Sequence, residues 1–352
     1  MPAERSRRRW DEDDVRVRPN PRGSRPRTKE RPVHADAVPA VVVAVDRGRC
    51  TCLLLEAPGA LPAAGAPRVT AMRARELGRT GVVVGDRVGL VGDVSGQPDT
   101  LARIVRLEER RTVLRRTADD TDPVERVVVA NADLLVVVAA VADPEPRSRL
   151  VDRCLVAAYA AGMTPLLCLT KTDLRPSREV LGAWAPLGLD TVSTHREQTP
   201  EGLRIAGLDA LRERLADRVS VLVGHSGVGK STLVNALVPT AERATGRVND
   251  VTGRGRHTST SSSALPLPGG GWVVDTPGIR SFGLAHVRPE QVLLAFPDLE
   301  PGAAGCPRGC THDEPECALD AWVAGAGAGP AGQVRLGSFR RLLRARTGEG
   351  ED

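Results

Sequence analysis

The nine residues GHSGVGKST, Gly224 to Thr232, lie between an apolar run that ends at Gly224 (VSVLVG) and a helical run (STLVNALV). The spacing G-x-x-x-x-G-K-[ST] between strand and helix commits this part of the chain to an α/β unit built around a phosphate-binding turn. A glycine-rich turn that opens at Gly224 and enters a helix leaves the N–H groups of Gly227, Val228 and Gly229 free to face nucleotide phosphates at the positive end of the helix dipole. Lys230 then reaches the β- and γ-phosphates as a catalytic charge, Ser231 ligates Mg2+, and Thr232 closes the motif.

Lysine usage supports the same reading. Of 49 basic residues only three are lysine: Lys29, Lys171 and Lys230. A phosphate cradle takes a compact ammonium on a flexible stem and not a planar guanidinium fork, so a lysine kept at 230 is informative. Lys171 stands in TKTDL, residues 170–174, directly after the strand-like run TPLLCLT. In a GTP-binding protein such a segment sets a carboxylate, here Asp173, against the N1 and N2 donors of guanine. The Lys171 stem lies over the base, and Thr170 supplies a hydroxyl. Adenine presents the wrong donor pattern, so the segment selects GTP. VSTH, residues 192–195, follows the next apolar stretch and puts Ser193 where a second guanine-contacting loop is expected.

These guanine-reading segments precede the phosphate loop, so the domain, residues 113–299, is expected to be a circularly permuted P-loop fold. Permutation is feasible where the original termini lie close together, and the short connection between LDALRERLADR and VSVLVG is the suture. Downstream, TGRGRHTST at 252–260 falls where a first switch is expected, with Thr258 closing the Mg2+ shell and Thr260 as the alternative. GGWVVDTPG supplies Asp275 for the Mg2+ water shell and Gly278 for the γ-phosphate. Ile279 occupies the position of a water-orienting glutamine and cannot do that work, which makes His257 the candidate for orienting the attacking water.

Seven cysteines do not form a disulfide framework: Cys50, Cys52, Cys154 and Cys168 lie in apolar runs and read as core. The other three sit in CPRGCTHDEPEC, where Cys306, Cys310, His312 and Cys317 suit a closed tetrahedral site for one structural zinc per chain. A C-terminal domain over 300–352 is expected to hold it, with AGAGAGPAG as a flexible linker and VRLGSFRRLLRAR as a basic helix.

Residues 36–112 read as short β runs punctuated by Gly, Pro and Asp, a small barrel or sandwich. Residues 36–116 carry 13 Arg against 9 acids and no Phe, Trp or Tyr, so any RNA contact would be to phosphate and sugar and not by base stacking. Residues 1–34 carry 11 Arg/Lys against 6 Asp/Glu, which predicts a disordered basic arm over 1–35. The longest strongly apolar run, LLVVVAAVA, is too short to span a bilayer, and a cytoplasmic monomer with no membrane partner is expected.

PRSRLVDRCLVAA, LTKTDL, GHSGVGKSTLVNAL, TGRGRHTST, DTPGIRSFGL and CPRGCTHDEPECAL together resemble the bacterial ribosome small-subunit-dependent GTPase A family, permuted GTPases of the RsgA/YjeQ type, over residues 36–345. Thr170 in place of Asn and Thr194-His195 in place of an Ala-Lys type pair depart from that pattern. The resemblance implies a multidomain α/β protein with an N-terminal OB-fold, a permuted GTPase domain and a C-terminal zinc domain. It implies GTP hydrolysis late in maturation of the 30S subunit, stimulated by the subunit and promoting factor release, with the 30S particle and 16S rRNA as partners. Two other readings are a switch GTPase acting on another RNA or protein, and a non-catalytic RNA-binding module; intact Lys230, Ser231 and Asp275 argue against the second.

Overall fold

The computed structural model describes residues 34–63, 65–78, 81–117, 125–182, 184–200, 202–238, 262–276, 284 and 286–347. Residues 1–33 of the basic arm, His257, Thr258, Thr260, Gly278 and Ile279 lie outside the described residues.

Strands β1 (Val38–Asp46), β2 (Arg49–Leu54), β3 (Arg68–Arg73), β4 (Arg87–Gly92) and β5 (Ala102–Leu107) close into a barrel of order β1-β2-β3-β5-β4-β1. Only the β3–β5 pair is parallel, the arrangement of an OB-type barrel. Period-two alternation builds it: in β2, Cys50 and Cys52 are buried in the barrel core while Arg49 turns to solvent. Burial pushes the Cys52 thiol up to about 12, so it behaves as a small hydrophobe. On the outer face Arg49 pairs with Met72 and Met72 with Arg103, and all three positions carry exposed side chains.

A hairpin, β6 (Val113–Arg116) and β7 (Arg126–Ala130), leads into β8 (Leu134–Ala140), whose seven residues are all buried. Such unbroken apolar runs belong to parallel strands covered on both faces. Leu135, Val137 and Ala139 face one core and Leu134, Val136 and Val138 the other. Next come α1 (Ser148–Ala160), β9 (Thr164–Thr170), α2 (Ser177–Leu181), β10 (Asp190–Ser193), the hairpin β11 (His195–Thr199) and β12 (Gly202–Ala206), then α3 (Leu208–Leu215), β13 (Val219–Val223) and α4 (Lys230–Leu237). Ser148 is the first helical residue of α1, and Arg147 precedes it as the cap. After β14 (Ser263–Pro266) and β15 (Trp272–Asp275) the sheet runs β10-β9-β8-β13-β15-β14, with β10 to β15 parallel and β14 antiparallel.

The phosphate-loop strand β13 therefore inserts between β8 and β15, although β8 to β10 precede it in sequence. Asp133 anchors the suture: its N–H donates to the Val219 carbonyl at 2.7 Å and its Oδ2 accepts the Val219 N–H at 2.8 Å. Strand β14 also pairs with β1 through Ala44 and Ser263, which joins the barrel and the mostly parallel sheet edge to edge.

Helices α5 (Pro289–Leu293), α6 (Glu300–Ala303), α7 (Ala318–Ala324) and α8 (Gly332–Thr347) complete the described chain. Leu319, Leu336, Phe339 and Leu342 share one apolar core with Leu155 of α1 and Leu135 of β8, so the core does not break at residue 300. One expectation for this region needs correction. AGAGAGPAG is no flexible linker: a Cβ on Gly327 or on Gly302 would strike the Trp322 ring, so these glycines let two backbone segments close over it. The arginines of α8 face partners within the chain. Arg335 binds Asp298 at 2.6 and 2.7 Å, Arg340 binds Asp320 at 2.9 and 2.6 Å, Arg341 binds Asp152 at 2.9 and 3.2 Å, and Arg344 binds Asp313 at 2.9 and 3.0 Å. Among the described residues no helix is long and apolar enough to cross a membrane.

Candidate functional site

The loops that follow β8, β9, β10, β13 and β15 all leave the carboxyl edge of the parallel sheet, where open α/β sheets bind ligands. A cleft of about 400 Å³ opens there, lined by Asp143, Thr170, Lys171, Asp173, Thr194, His195, Arg196, Gly227, Gly229 and Thr232, among others. Its size suits a small-molecule ligand, and it brings the base-reading and phosphate-reading segments of the sequence to one place.

On the phosphate side, Gly224 has φ 152° and lies against the Val138 carbonyl, so no side chain fits there. Gly229 (φ 97°) is the residue before α4 and packs on the Thr170 side chain. Lys230 Nζ donates to the carbonyls of Gly224 at 2.6 Å and His225 at 2.7 Å, so its ammonium rests on its own loop. Asp275 reaches the same place from β15, whose register pairs it with Leu222 of β13. Burial lowers the Lys230 pKa and raises that of Asp275, and in each case the other's charge opposes the shift. A half-buried cation and anion that feel each other's charge are a fitting arrangement for a metal-bound polyphosphate. Ser231 is exposed in the first turn of α4, as a Mg2+ ligand must be.

On the base side, Thr170 is buried, and its hydroxyl donates to the Val228 carbonyl at 2.6 Å, not into the cleft. Lys171 (φ 58°) donates from Nζ to the Asp143 carbonyl and lies 3.7 Å from Asp143 Oδ2. Asp173 is exposed, with no partner among the described residues. Ser193 does not line the cleft. Strand alternation buries Val192 and turns Ser193 outward, and the next residues, Thr194 and His195, form the wall. Sequence reasoning missed Asp143 and Arg196 and reached His195 only as part of the VSTH segment; the position of Asp143 just beyond the β8 run was the signal available for it.

The ligand atoms of Cys306, Cys310, His312 and Cys317 lie within 4.8 Å of one another. Cys306 Sγ is 3.5 Å from His312 Nδ1 and 3.7 Å from Cys317 Sγ, and Cys317 Sγ is 3.8 Å from His312 Nδ1. Zn–S of about 2.3 Å and Zn–N of about 2.0–2.1 Å place tetrahedral ligands roughly 3.5–3.8 Å apart, so the donor set fits zinc. The loop is fixed from outside: Arg340 donates to the His312 carbonyl at 3.0 Å, and Glu314 accepts from the Thr311 N–H at 3.0 Å and the Thr311 hydroxyl at 2.8 Å.

Fold and cleft together define a circularly permuted P-loop nucleotide-binding protein carrying an OB-type barrel and a Cys3His metal cluster. The chain belongs to the RsgA GTPase family, whose model matches residues 107–285. It is 38% identical over 271 residues to the small ribosomal subunit biogenesis GTPase RsgA of Chlorobaculum tepidum, covering 74% of this chain and 84% of that one. It is 40% identical over 246 residues to the protein of the same name from Chromohalobacter salexigens, covering 68% of each. The fold matches YjeQ from Thermotoga maritima with a TM-score of 0.60 at 24% identity, over 89% of this chain and 99% of that one. YloQ, described as a circularly permuted GTPase, matches with a TM-score of 0.59 at 22% identity, over 91% and 98%.

Proposed function

We propose that this protein hydrolyses GTP as a late-acting maturation factor of the 30S ribosomal subunit, with hydrolysis stimulated by the subunit and coupled to release. The observation that carries the GTPase part is the single cleft formed by Lys171, Asp173, Gly227, Gly229 and Thr232 beside Lys230 and Asp275. The ribosomal part is supported by the relatives named small ribosomal subunit biogenesis GTPase.

In this reading Asp173 takes the guanine N1 and N2 donors, and Lys171 leaves Asp143 to lie over the base. The loop amides from Gly224 to Ser231 bind phosphates with Lys230. Ser231, Thr258 and Asp275 hold Mg2+, which neutralises the β- and γ-phosphate oxygens when bound. Gly278 contacts the γ-phosphate, and His257 orients water. Thr170 acts by fastening the phosphate loop. Zinc is held by Cys306, Cys310, His312 and Cys317. The barrel, whose Arg49 and Arg103 face outward in register, and the basic arm contact 16S rRNA through its backbone. The protein works as a cytoplasmic monomer. The domain division at 36–112, 113–299 and 300–352 serves this reading, with the last two sharing a core.

Single-turnover hydrolysis with 30S particles, 50S particles and no particle tests it. Stimulation by orders of magnitude with 30S alone is expected, and it should fall steeply with added salt as counterion release is lost. Equal rates in all three would overturn the ribosomal reading and favour a switch GTPase with another partner. Asp173→Asn should move preference toward xanthosine nucleotides, and equal ATP and GTP affinity in the unmodified protein would overturn the GTP reading itself.

A further inference from the structure

Thr172 ties the two base-side segments together. Its N–H and its hydroxyl each reach the Thr194 carbonyl at 3.3 Å, and the hydroxyl oxygen lies 3.3 Å from Nδ1 of His195. His195 and Asp173 line the same cleft. A carboxylate only accepts hydrogen bonds, so Asp173 suits the N1–H and N2–H donors of guanine, while the 6-oxo group needs a donor from the protein.

Among the described side chains on the base side of the cleft, few can supply that donor. Thr170 gives its hydroxyl to Val228. Thr194 gives its N–H to the Leu169 carbonyl at 2.7 Å and its hydroxyl to the same oxygen at 3.3 Å. Lys171, held at Asp143 here, lies over the face of the base in the GTP reading and not at its 6-oxo edge. His195 and Arg196 remain. Arg196 is exposed and has no partner among the described residues, so nothing aims it. The His195 ring is aimed by Thr172.

We propose that His195, oriented by Thr172, donates from its Nε2–H to the 6-oxo group of guanine and is a second determinant, beside Asp173, of guanine over adenine. The Thr172 hydroxyl has two acceptors at 3.3 Å, the Thr194 carbonyl and Nδ1 of His195; in the proposed arrangement its proton goes to Nδ1 and the ring hydrogen is on Nε2. Adenine carries an amino donor at position 6, and two donors facing one another leave both unpaired, which is the repulsive half of specificity. The inference rests on the GTP reading of the cleft.

The test is competition of GDP, IDP and ADP against a fluorescent guanine nucleotide on the full chain and its His195→Ala, Thr172→Val, Thr172→Ser and Arg196→Ala variants. His195→Ala is expected to weaken GDP and IDP by the same factor, about tenfold, without weakening ADP, since IDP keeps the 6-oxo group and lacks only the 2-amino group. Thr172→Val should reproduce part of that loss, and Thr172→Ser should restore it. Arg196→Ala should weaken GDP and ADP alike, through the phosphates. An equal loss of ADP and GDP in His195→Ala, no loss at all, or a narrowed GDP/ADP ratio in Arg196→Ala instead would overturn the inference while the GTP reading stands. Failure of the unmodified protein to bind GDP would overturn both. Melting curves of the Thr172 pair show whether the fold is kept, and recovery by serine separates positioning from packing.

Discussion

The Thr170 hydroxyl donates to the Val228 carbonyl at 2.6 Å, so one hydrogen bond fastens the end of β9 to the glycine-rich loop before α4. A hydroxyl has one proton, and here it is committed to the backbone of the phosphate loop. Thr170→Val keeps the shape and removes the donor. The Val228 carbonyl then loses a partner, at a cost of about 1 kcal/mol. GDP affinity should fall roughly three- to tenfold in calorimetry, with a drop of about 2–4 °C in melting temperature.

Arg341 lies against Asp152, whose carboxylate also accepts the Trp184 indole N–H at 2.8 Å. Asp152 has 5% side-chain exposure and Arg341 37%, while the Arg344–Asp313 pair has 56% and 29%. Arg341→Ala strands a buried carboxylate and should cost about 2–3 kcal/mol in denaturant unfolding, discounted from the fully buried case for the exposure of the arginine. Arg344→Ala should cost less than about 1 kcal/mol.

Metal removal should be felt beyond the C-terminal segment. The His312 ring lies 5.9 Å from that of Phe339, and Phe339 belongs to the core that includes α1. Cys310→Ser, or chelation, should therefore lower the main melting transition by on the order of 5–10 °C and not split off a separate early one. Elemental analysis of protein purified without chelator should find one zinc per chain.

Burial holds the His286 pKa below its usual value, with Glu125 opposing that shift and Arg115 adding to it, and its Nδ1 is buried with no partner among the described residues. A lowered folded-state pKa means that the unfolded chain binds more protons below about pH 6.5, so stability rises with pH through that window and is lost on acidification. His286→Gln removes the titration. Between pH 7.5 and 5.5 the variant's melting temperature should fall about 1–3 °C less than that of the unmodified protein.

Where chemistry needs a fixed spacing, the sequence is a direct guide: GHSGVGKST, TKTDL and the Cys306–Cys317 cluster all fall where the cleft or the metal set needs them. The barrel and the permuted order also follow from periodicity and segment order. Features fixed by long-range pairing are hidden from such reading. A run of five arginines in VRLGSFRRLLRAR looks the same whether it faces RNA or, as here, aspartates up to 189 residues away. The glycines of AGAGAGPAG look like a linker until Trp322 fills the space beside them. Ser193 against His195 turned on a single step of strand alternation, which a loose four-residue match cannot fix.

The insertion of β13 between β8 and β15 also sets conditions on synthesis of the chain. β8 ends at Ala140 and β13 at Val223, so ribosomal elongation at about 5–20 residues per second separates them by roughly 4–17 s. For that interval the most apolar strand of the protein has β9 on one side and an open hydrogen-bonding edge on the other, the geometry that recruits foreign strands. A nascent chain of the unpermuted order would make its central strand first, so the rearranged order trades early closure of the sheet for a period of dependence on slow aggregation or on a covering chaperone.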